Sequence, residues 1–317
     1  MNPPRKVKKF LIVIVVFFIP VFCFLGYTEL ALREYRNTYD QKKEFIDQRA
    51  DSIRILVLGD SHAHNGIDPT YLGKGSFNLA NDGQSLYYDI KLTEKYLNKL
   101  TNLKCVIIPL SYFTFYYRME NSFAEPRQYN YYHTFGISPA APLSVFDINR
   151  YSYIASYTPR ISFGIVFLNR FKADSQAENG FLASFATLPA DVDQKMVLEK
   201  FGYHREIIQN GNLESNLSLL NEFLTTLSSR NIEAIFITLP VSSVYKTHLD
   251  PEVERRNREI ITQFCVKFNL EYFDLDSSSA LGNDYFSDID HLNVKGAALV
   301  SSRLSSLLNK NEEWLKK

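Results

Sequence analysis

The chain has little cysteine and no net charge. Its three cysteines, Cys23, Cys105 and Cys265, are too few for a disulfide scaffold, and Cys23 sits in an apolar run, which leaves at most one pair. Cysteine usage therefore does not fix the compartment. Lys plus Arg (35) balance Asp plus Glu (35), and 45% of residues are hydrophobic, so neither a polyanion binder nor a disordered chain fits. Phosphate-cradling glycine loops, CxxC pairs and basic stripes are missing too, which argues against nucleotide, zinc-ribbon and nucleic-acid functions. No cofactor and no nucleic-acid partner is expected.

The neutral average conceals an uneven layout. Arg5, Lys6, Lys8 and Lys9 precede an uncharged stretch from Phe10 to Thr28, about 28 Å long as a helix at about 1.5 Å per residue. That just spans a hydrocarbon core of about 30 Å. The run FLIVIVVFFIPVFCFLG has no polar face to show to water. No A-x-A-like cleavage site follows it, and Phe22 before Cys23 is not the small residue of a lipoprotein site. Residues 1–28 are therefore expected to be a cytoplasmic basic stub and an uncleaved transmembrane anchor. The basic cluster places the body outside the cytoplasm, on the periplasmic or extracellular face. Residues 29–51 mix charges of both signs and lack Gly and Pro, the pattern of a helical stalk.

The folded body is expected from residue 52 to 317. IRILVLGDS, LKCVIIPLS, EAIFITLP and EYFDLD read as strands. Helical spacing predicts helices over 85–100, 213–228, 251–268 and 294–308. Strands alternating with helices imply an α/β fold with a parallel sheet covered on both faces. Residues 118–203 break this rhythm with prolines and aromatic clusters such as YNYYHTF, and are expected to form an insertion over the sheet. Single aromatics in such an insertion more often pack inside than line a cleft.

Two segments carry the chemistry. In an open parallel sheet, ligands bind outside the carboxyl ends of the strands. Gly59, Asp60, Ser61, His62, Ala63 and His64 follow the first strand there. A serine after a glycine turn can project its hydroxyl into such a crevice, although Ser and Asp in a βα loop also serve simply as helix caps. FSDIDHLNVKGA places Asp288 three residues before His291, next to the last helix. A serine nucleophile needs a base, and the base needs a carboxylate to orient it. One short segment can supply both.

GDS at 59–61, NLANDGQS with Gly83 and Asp288-x-x-His291 together resemble the SGNH or GDSL hydrolases, over about 52–117 and 204–310. The resemblance implies a three-layer, flavodoxin-like α/β/α fold. It implies Ser61 as nucleophile, His291 as base, Asp288 as its orienting acid, and the N–H groups of Ser61 and Gly83 as oxyanion donors. The family's third block would fall at PLS, where Pro109 stands for Gly and Ser111 for the oxyanion Asn; the Ser111 hydroxyl is the expected substitute donor. The anchored N-terminus, NLANDGQS and DHLNVKGA look like membrane-anchored bacterial envelope members, relatives of the teichoic-acid D-alanylation protein and of alginate O-acetyltransferases. These imply acylated carbohydrate or a cell-surface polymer as substrate and a multi-spanning membrane protein as acyl donor.

The leading expectation is thus a serine acyl-ester hydrolase or O-acyltransferase working through an acyl-enzyme. Two other readings stand beside it. Asp60, His62, His64, Asp288, Asp290 and His291 are a ligand set for a divalent metal in a phosphoesterase-like hydrolase, although two lone histidines beside a strand are more often hydrogen-bonded or exposed. The departure at Ser111 motivates a non-catalytic, carbohydrate-binding or scaffold protein of the same fold. His133, His204 and His248 receive no role.

Overall fold

The computed structural model describes residues 4–157, 159–168, 177–277 and 281–311. In chain order they form α1 (Arg5–Glu34), α2 (Thr38–Arg49), β1 (Ile55–Val57), α3 (Ser61–Gly66), β2 (Ser76–Asn78), α4 (Leu86–Tyr96), β3 (Cys105–Pro109), α5 (Pro159–Leu168), α6 (Gln194–Gln209), α7 (Leu213–Ser229), β4 (Glu233–Thr238), α8 (Pro251–Phe268), β5 (Glu271–Asp274) and α9 (Val294–Asn311), with short helical turns between them. They cluster into two compact units. One is Met1–Asn37 with Pro142–Asp174; the other is Thr38–Ala141 with Ser175–Lys317.

The second unit holds a five-stranded sheet in the order β2-β1-β3-β4-β5, every pair parallel. Alternation along the strands divides the core. Leu56, Val106, Ile108 and Phe236 pack with residues of α2, α4, α7 and α8 on one face. Ile55, Val57, Ile107, Ile235 and Ile237 pack with residues of α3, α6 and α9 on the other. This is the three-layer α/β/α arrangement that the alternation implies. The strand order reverses between β1 and β3, which opens the crevice at their carboxyl ends. The sequence reading has no strand at Ser76–Asn78, because three residues are too short to register as an apolar run.

The expected stalk needs correction. α1 runs on to Glu34, and Tyr39, Lys42 and Ile46 of α2 are buried in the sheet-bearing unit. The Lys42 ammonium, at 1% exposure, donates to the Ala80 carbonyl, and burial pushes its pKa well down. A mixed-charge helix thus hides one apolar stripe and one buried amine.

The expected insertion is also divided. Residues 118–141 and 177–203 belong to the sheet-bearing unit, while 142–157 and 159–168 cluster with α1; 158 and 169–176 are outside the described residues. Its YNYYHTF cluster is largely core. Tyr131 is fully buried and stacks on Tyr88 at 4.0 Å. Its hydroxyl donates to Gln84, which donates to the Asp89 carboxylate, which also accepts the Gly59 N–H at 2.8 Å. The turn after β1 therefore hangs on an aromatic from the irregular segment.

In the first unit, α1 is 30 residues long and is the one described helix with the length and composition to cross a membrane. The Glu29 carboxylate accepts the N–H groups of Tyr153 and Ile154 and the Ser152 hydroxyl, and so caps the short helix Tyr153–Ser156. Nearer the N-terminus, Phe24 stacks on Phe167 of α5 at 5.6 Å.

Burial raises Asp89 to about 7, against hydrogen bonds from Gln84 and Gly59 that favour the anion. Its folded pKa therefore lies above the unfolded value of about 3.9, and the stability it adds is full below about pH 4 and lost as pH rises through about 7. Asp89→Asn keeps the oxygen acceptor and removes the buried charge. Urea unfolding of the two proteins should coincide near pH 4 and diverge by pH 8, with the variant more stable by about 2–4 kcal/mol; equal gaps at both pH values would contradict the account.

Candidate active site

Ser61 is the first residue of α3, directly after the β1 turn. Gly59 has φ +116°, a conformation that side chains rarely adopt, and a Cβ there would lie 3.1 Å from that of Ala63. This sharp turn presents Ser61 at the crevice, while the Asp60 carboxylate caps α3 by accepting the His62 N–H. His291 and Asp288 arrive from the loop before α9. The His291 ring places Nε2 2.7 Å from the Ser61 hydroxyl and Nδ1 2.9 Å from both oxygens of Asp288. Asp288 also accepts the His291 backbone N–H at 2.8 Å, so the three-residue spacing folds the carboxylate back onto its own histidine. Serine, imidazole and carboxylate form one continuous line.

Gly83 lines the same cavity, of about 670 Å³, as Ser61 and His291. Its φ is +66°, and its carbonyl accepts the Tyr117 hydroxyl at 2.8 Å. Neither its N–H nor that of Ser61 has an acceptor among the described residues. Ser111 stands elsewhere. It is not part of that cavity's lining; its hydroxyl donates to Asp60 at 2.8 Å and its N–H to Thr114 Oγ1 at 2.8 Å. The expectation of a Ser111 oxyanion donor therefore fails, since both donors are committed to other acceptors. Arg127 lines the cavity instead. A Cβ on Gly83 would come within 2.9 Å of its Nη1, and its side chain makes no hydrogen bond among the described residues.

Behind the triad lies a charged network. His62 is buried with Nδ1 3.0 Å from Asp60 and Nε2 3.4 Å from Asp290. Asp290, at 1% exposure, also accepts from Lys200 and lies 3.2 Å from His291 Nδ1. The His62 and His291 rings stack at 4.8 Å. Burial disfavours both imidazolium ions, but Asp60 and Asp290 outweigh it at His62, raising it to about 9, and Asp290 with Asp288 outweighs it at His291. At 4.8 Å two imidazolium ions repel by about 3 kcal/mol at an effective dielectric constant of about 20, so the second proton binds far more weakly than the first. His291, between Asp288 and Asp290, is raised to about 10, so the two stacked rings titrate as one coupled pair and the last proton taken up is the one the pair holds least tightly.

The metal-ligand set expected from sequence is drawn together only in part. Ligand atoms of His62, Asp290 and His291 lie within 4.8 Å of one another, while His64 pairs with Asp82 at 3.0 Å. Every ring nitrogen of His62 and His291 is already engaged by a carboxylate or by Ser61. His204, given no role by the sequence, lines the Ser61 cavity, and burial pushes it down to about 3. The buried Tyr245 hydroxyl has no other acceptor among the described residues, so it donates to His204 Nδ1 and leaves Nε2 protonated. Lys200 and His204 both come from α6, where sequence showed no repeat to place them.

No protein-family model matches the chain, and no curated protein matches it. Among solved structures, it is similar to a GDSL-like lipase from Bacteroides thetaiotaomicron, with 8% identity, a TM-score of 0.43, and coverage of 86% of this chain and 99% of that one. It is also similar to a lipase/acylhydrolase from Enterococcus faecalis, with 12% identity, a TM-score of 0.39, and coverage of 81% and 96%. These neighbours are GDSL-type acylhydrolases and lipases. Likeness this distant assigns no role to any residue here; the side-chain geometry has to do that.

The network makes one prediction independent of any reaction. Removing the Asp290 charge lowers the proton affinity of His291, so in Asp290→Asn the His291 ring, followed by NMR, should titrate at lower pH than in the wild type. An unchanged midpoint would mean that Asp290 does not set it.

Proposed function

We propose that the chain is a membrane-anchored serine acyl-ester hydrolase or O-acyltransferase of the SGNH type, acting on acylated cell-envelope carbohydrate. The line from Ser61 through His291 to Asp288 carries this reading. Ser61 Oγ attacks the ester carbonyl as its proton passes to His291 Nε2, and Asp288 holds the ring and stabilises the imidazolium. His291 then protonates the leaving alcohol as the carbon–oxygen bond breaks, and the acyl group remains on Ser61. Water or a sugar hydroxyl, deprotonated by His291, releases it. We assign three donors to the developing oxyanion, the N–H groups of Ser61 and Gly83 and the Arg127 guanidinium in place of Ser111, a reading supported by their lining of one cavity.

A carbohydrate substrate is supported by the rim, where exposed Phe123 packs on Tyr203 at 4.4 Å beside Glu199 and Asn65. Aromatic faces among hydrogen-bonding groups suit sugar rings. A multi-spanning acyl-donor protein would act as partner in the transferase case. Anchoring rather than a cleaved leader is supported by Glu29 and Phe24, whose contacts with Ser152–Ile154 and Phe167 would be lost on cleavage. The basic cluster at Arg5–Lys9 supports a body outside the cytoplasm.

Intact-mass measurement with a panel of acyl donors, with and without glycan, tests the reading. Wild type should gain one acyl group, Ser61→Ala none, and added acceptor glycan should discharge the adduct if transfer is the reaction. Folded wild type that stays unlabelled by every donor and by a fluorophosphonate would sink it. Arg127→Met should slow acylation about a hundredfold with little change in KM; a change in KM alone would remove Arg127 from the oxyanion site.

A further inference from the structure

Residues 142–168 of the first unit expose a large apolar surface. Phe146 is 93% exposed, Phe163 55%, and Val145, Ile148, Tyr151 and Phe167 are exposed as well. So many exposed large apolar side chains in one short segment mark a surface that something other than water covers. The depth at which the segment meets α1 identifies the cover. Ser152, Tyr153 and Ile154 are fixed at Glu29, just beyond the apolar stretch of α1. α5, whose sequence PRISFGIVFL has one charge, packs on α1 from there back to Phe24. Phe24 lies about 6 Å inside the Thr28 end of that stretch at about 1.5 Å per residue. Phe167 is stacked on it. The polar end of the segment is thus level with the end of the span and its apolar helix is level with hydrocarbon.

We propose that α5 with the Val145–Tyr151 loop is a second membrane element, an interfacial helix lying in the leaflet on the side where α1 emerges. An interfacial helix buries its apolar face about 5–10 Å deep, the depth that the Phe24–Phe167 stack sets. By sequence alone, residues 142–174 carry four basic residues, Arg150, Arg160, Arg170 and Lys172, against two acidic ones, Asp147 and Asp174, a balance that suits anionic headgroups. The occupant of the exposed face is lipid, as it is for the outward faces of Phe10–Leu25 on α1. The inference rests on α1 being an anchor that stays attached.

The test uses the full chain in vesicles of phosphatidylglycerol and phosphatidylcholine whose acyl chains carry bromine at shallow or deep positions. The one tryptophan, Trp314, is replaced by Phe, and single tryptophans are introduced as Phe163→Trp, Phe146→Trp and, as reference, Phe17→Trp in α1. Shallow bromines should quench Trp at 163 and 146 at least half as strongly as deep bromines quench it at 17. Quenching at 17 with none at 163 and 146, in protein of unchanged far-UV circular dichroism, overturns the interfacial helix and leaves the anchor standing. No quenching at any position overturns the anchor itself, and the inference with it.

Discussion

Asp290 is the constraint on which the site is built. A carboxylate at 1% exposure costs several kcal/mol unless other groups compensate its charge, and here three do so: Lys200, His62 and His291. Each comes from a different part of the chain, so the charge fixes how those parts meet. His62 follows β1, Lys200 rises from α6, and His291 precedes α9. The stacking of the two imidazoles follows from sharing one acceptor, and the stacking in turn couples their proton affinities. The pair therefore shares its protons, with the ring of His291 facing Ser61 and that of His62 facing Asp60. A lone Ser-His-Asp line would leave the base near its ordinary range, and the extra carboxylate moves it upward.

The parts of the fold that repeat locally were legible in the sequence. Three of the five strands are rich in branched aliphatics, β5 shows the aromatic pair Tyr272–Phe273, and α8 begins at Pro251, where the missing N–H costs nothing. β2 was not, because Ser-Phe-Asn is a strand only through its pairing with Ile55–Val57. The line of Ser61, His291 and Asp288 was legible for a related reason: Ser61 follows a glycine turn, and Asp288 sits three residues before the histidine it contacts. Both are short-range patterns. Lys200 and Arg127 gave no such signal, and the part Asp290 plays between two histidines was not visible either, since each acquires its place only when segments more than forty residues apart come together.

The same physics explains where the division of the chain was misread. α2 carries mixed charges because most of its surface is wet, yet two buried hydrophobic side chains and one buried ammonium tie it to the sheet-bearing unit. Composition averages over the helix, whereas packing depends on one stripe. Residues 118–203 looked uniform because aromatics are frequent throughout, but their burial differs completely. Tyr131 and Phe135 are core, whereas Phe146 and Phe163 are exposed beside an apolar helix. An aromatic side chain has the same sequence signature in a protein core, at a sugar site and in a bilayer, so only the neighbours separate the three.

Ser111 shows how a change at one position redistributes work across a site. Its hydroxyl ties the loop after β3 to Asp60, and Asp60 holds His62 in the orientation that reaches Asp290. A donor bound to a carboxylate cannot also meet an oxyanion, so the two demands exclude one another at that residue. The serine keeps the charged network in register, and the proposed reaction then needs its electrophilic group from outside the sheet. Arg127 suits it because a guanidinium keeps its charge at any working pH, and the absence of a side chain on Gly83 lets it approach the backbone. On the proposed reaction, the weakness seen in the sequence at this block is a relocation of the donor, with Arg127 of the irregular segment 118–141 supplying what the loop after β3 has given up.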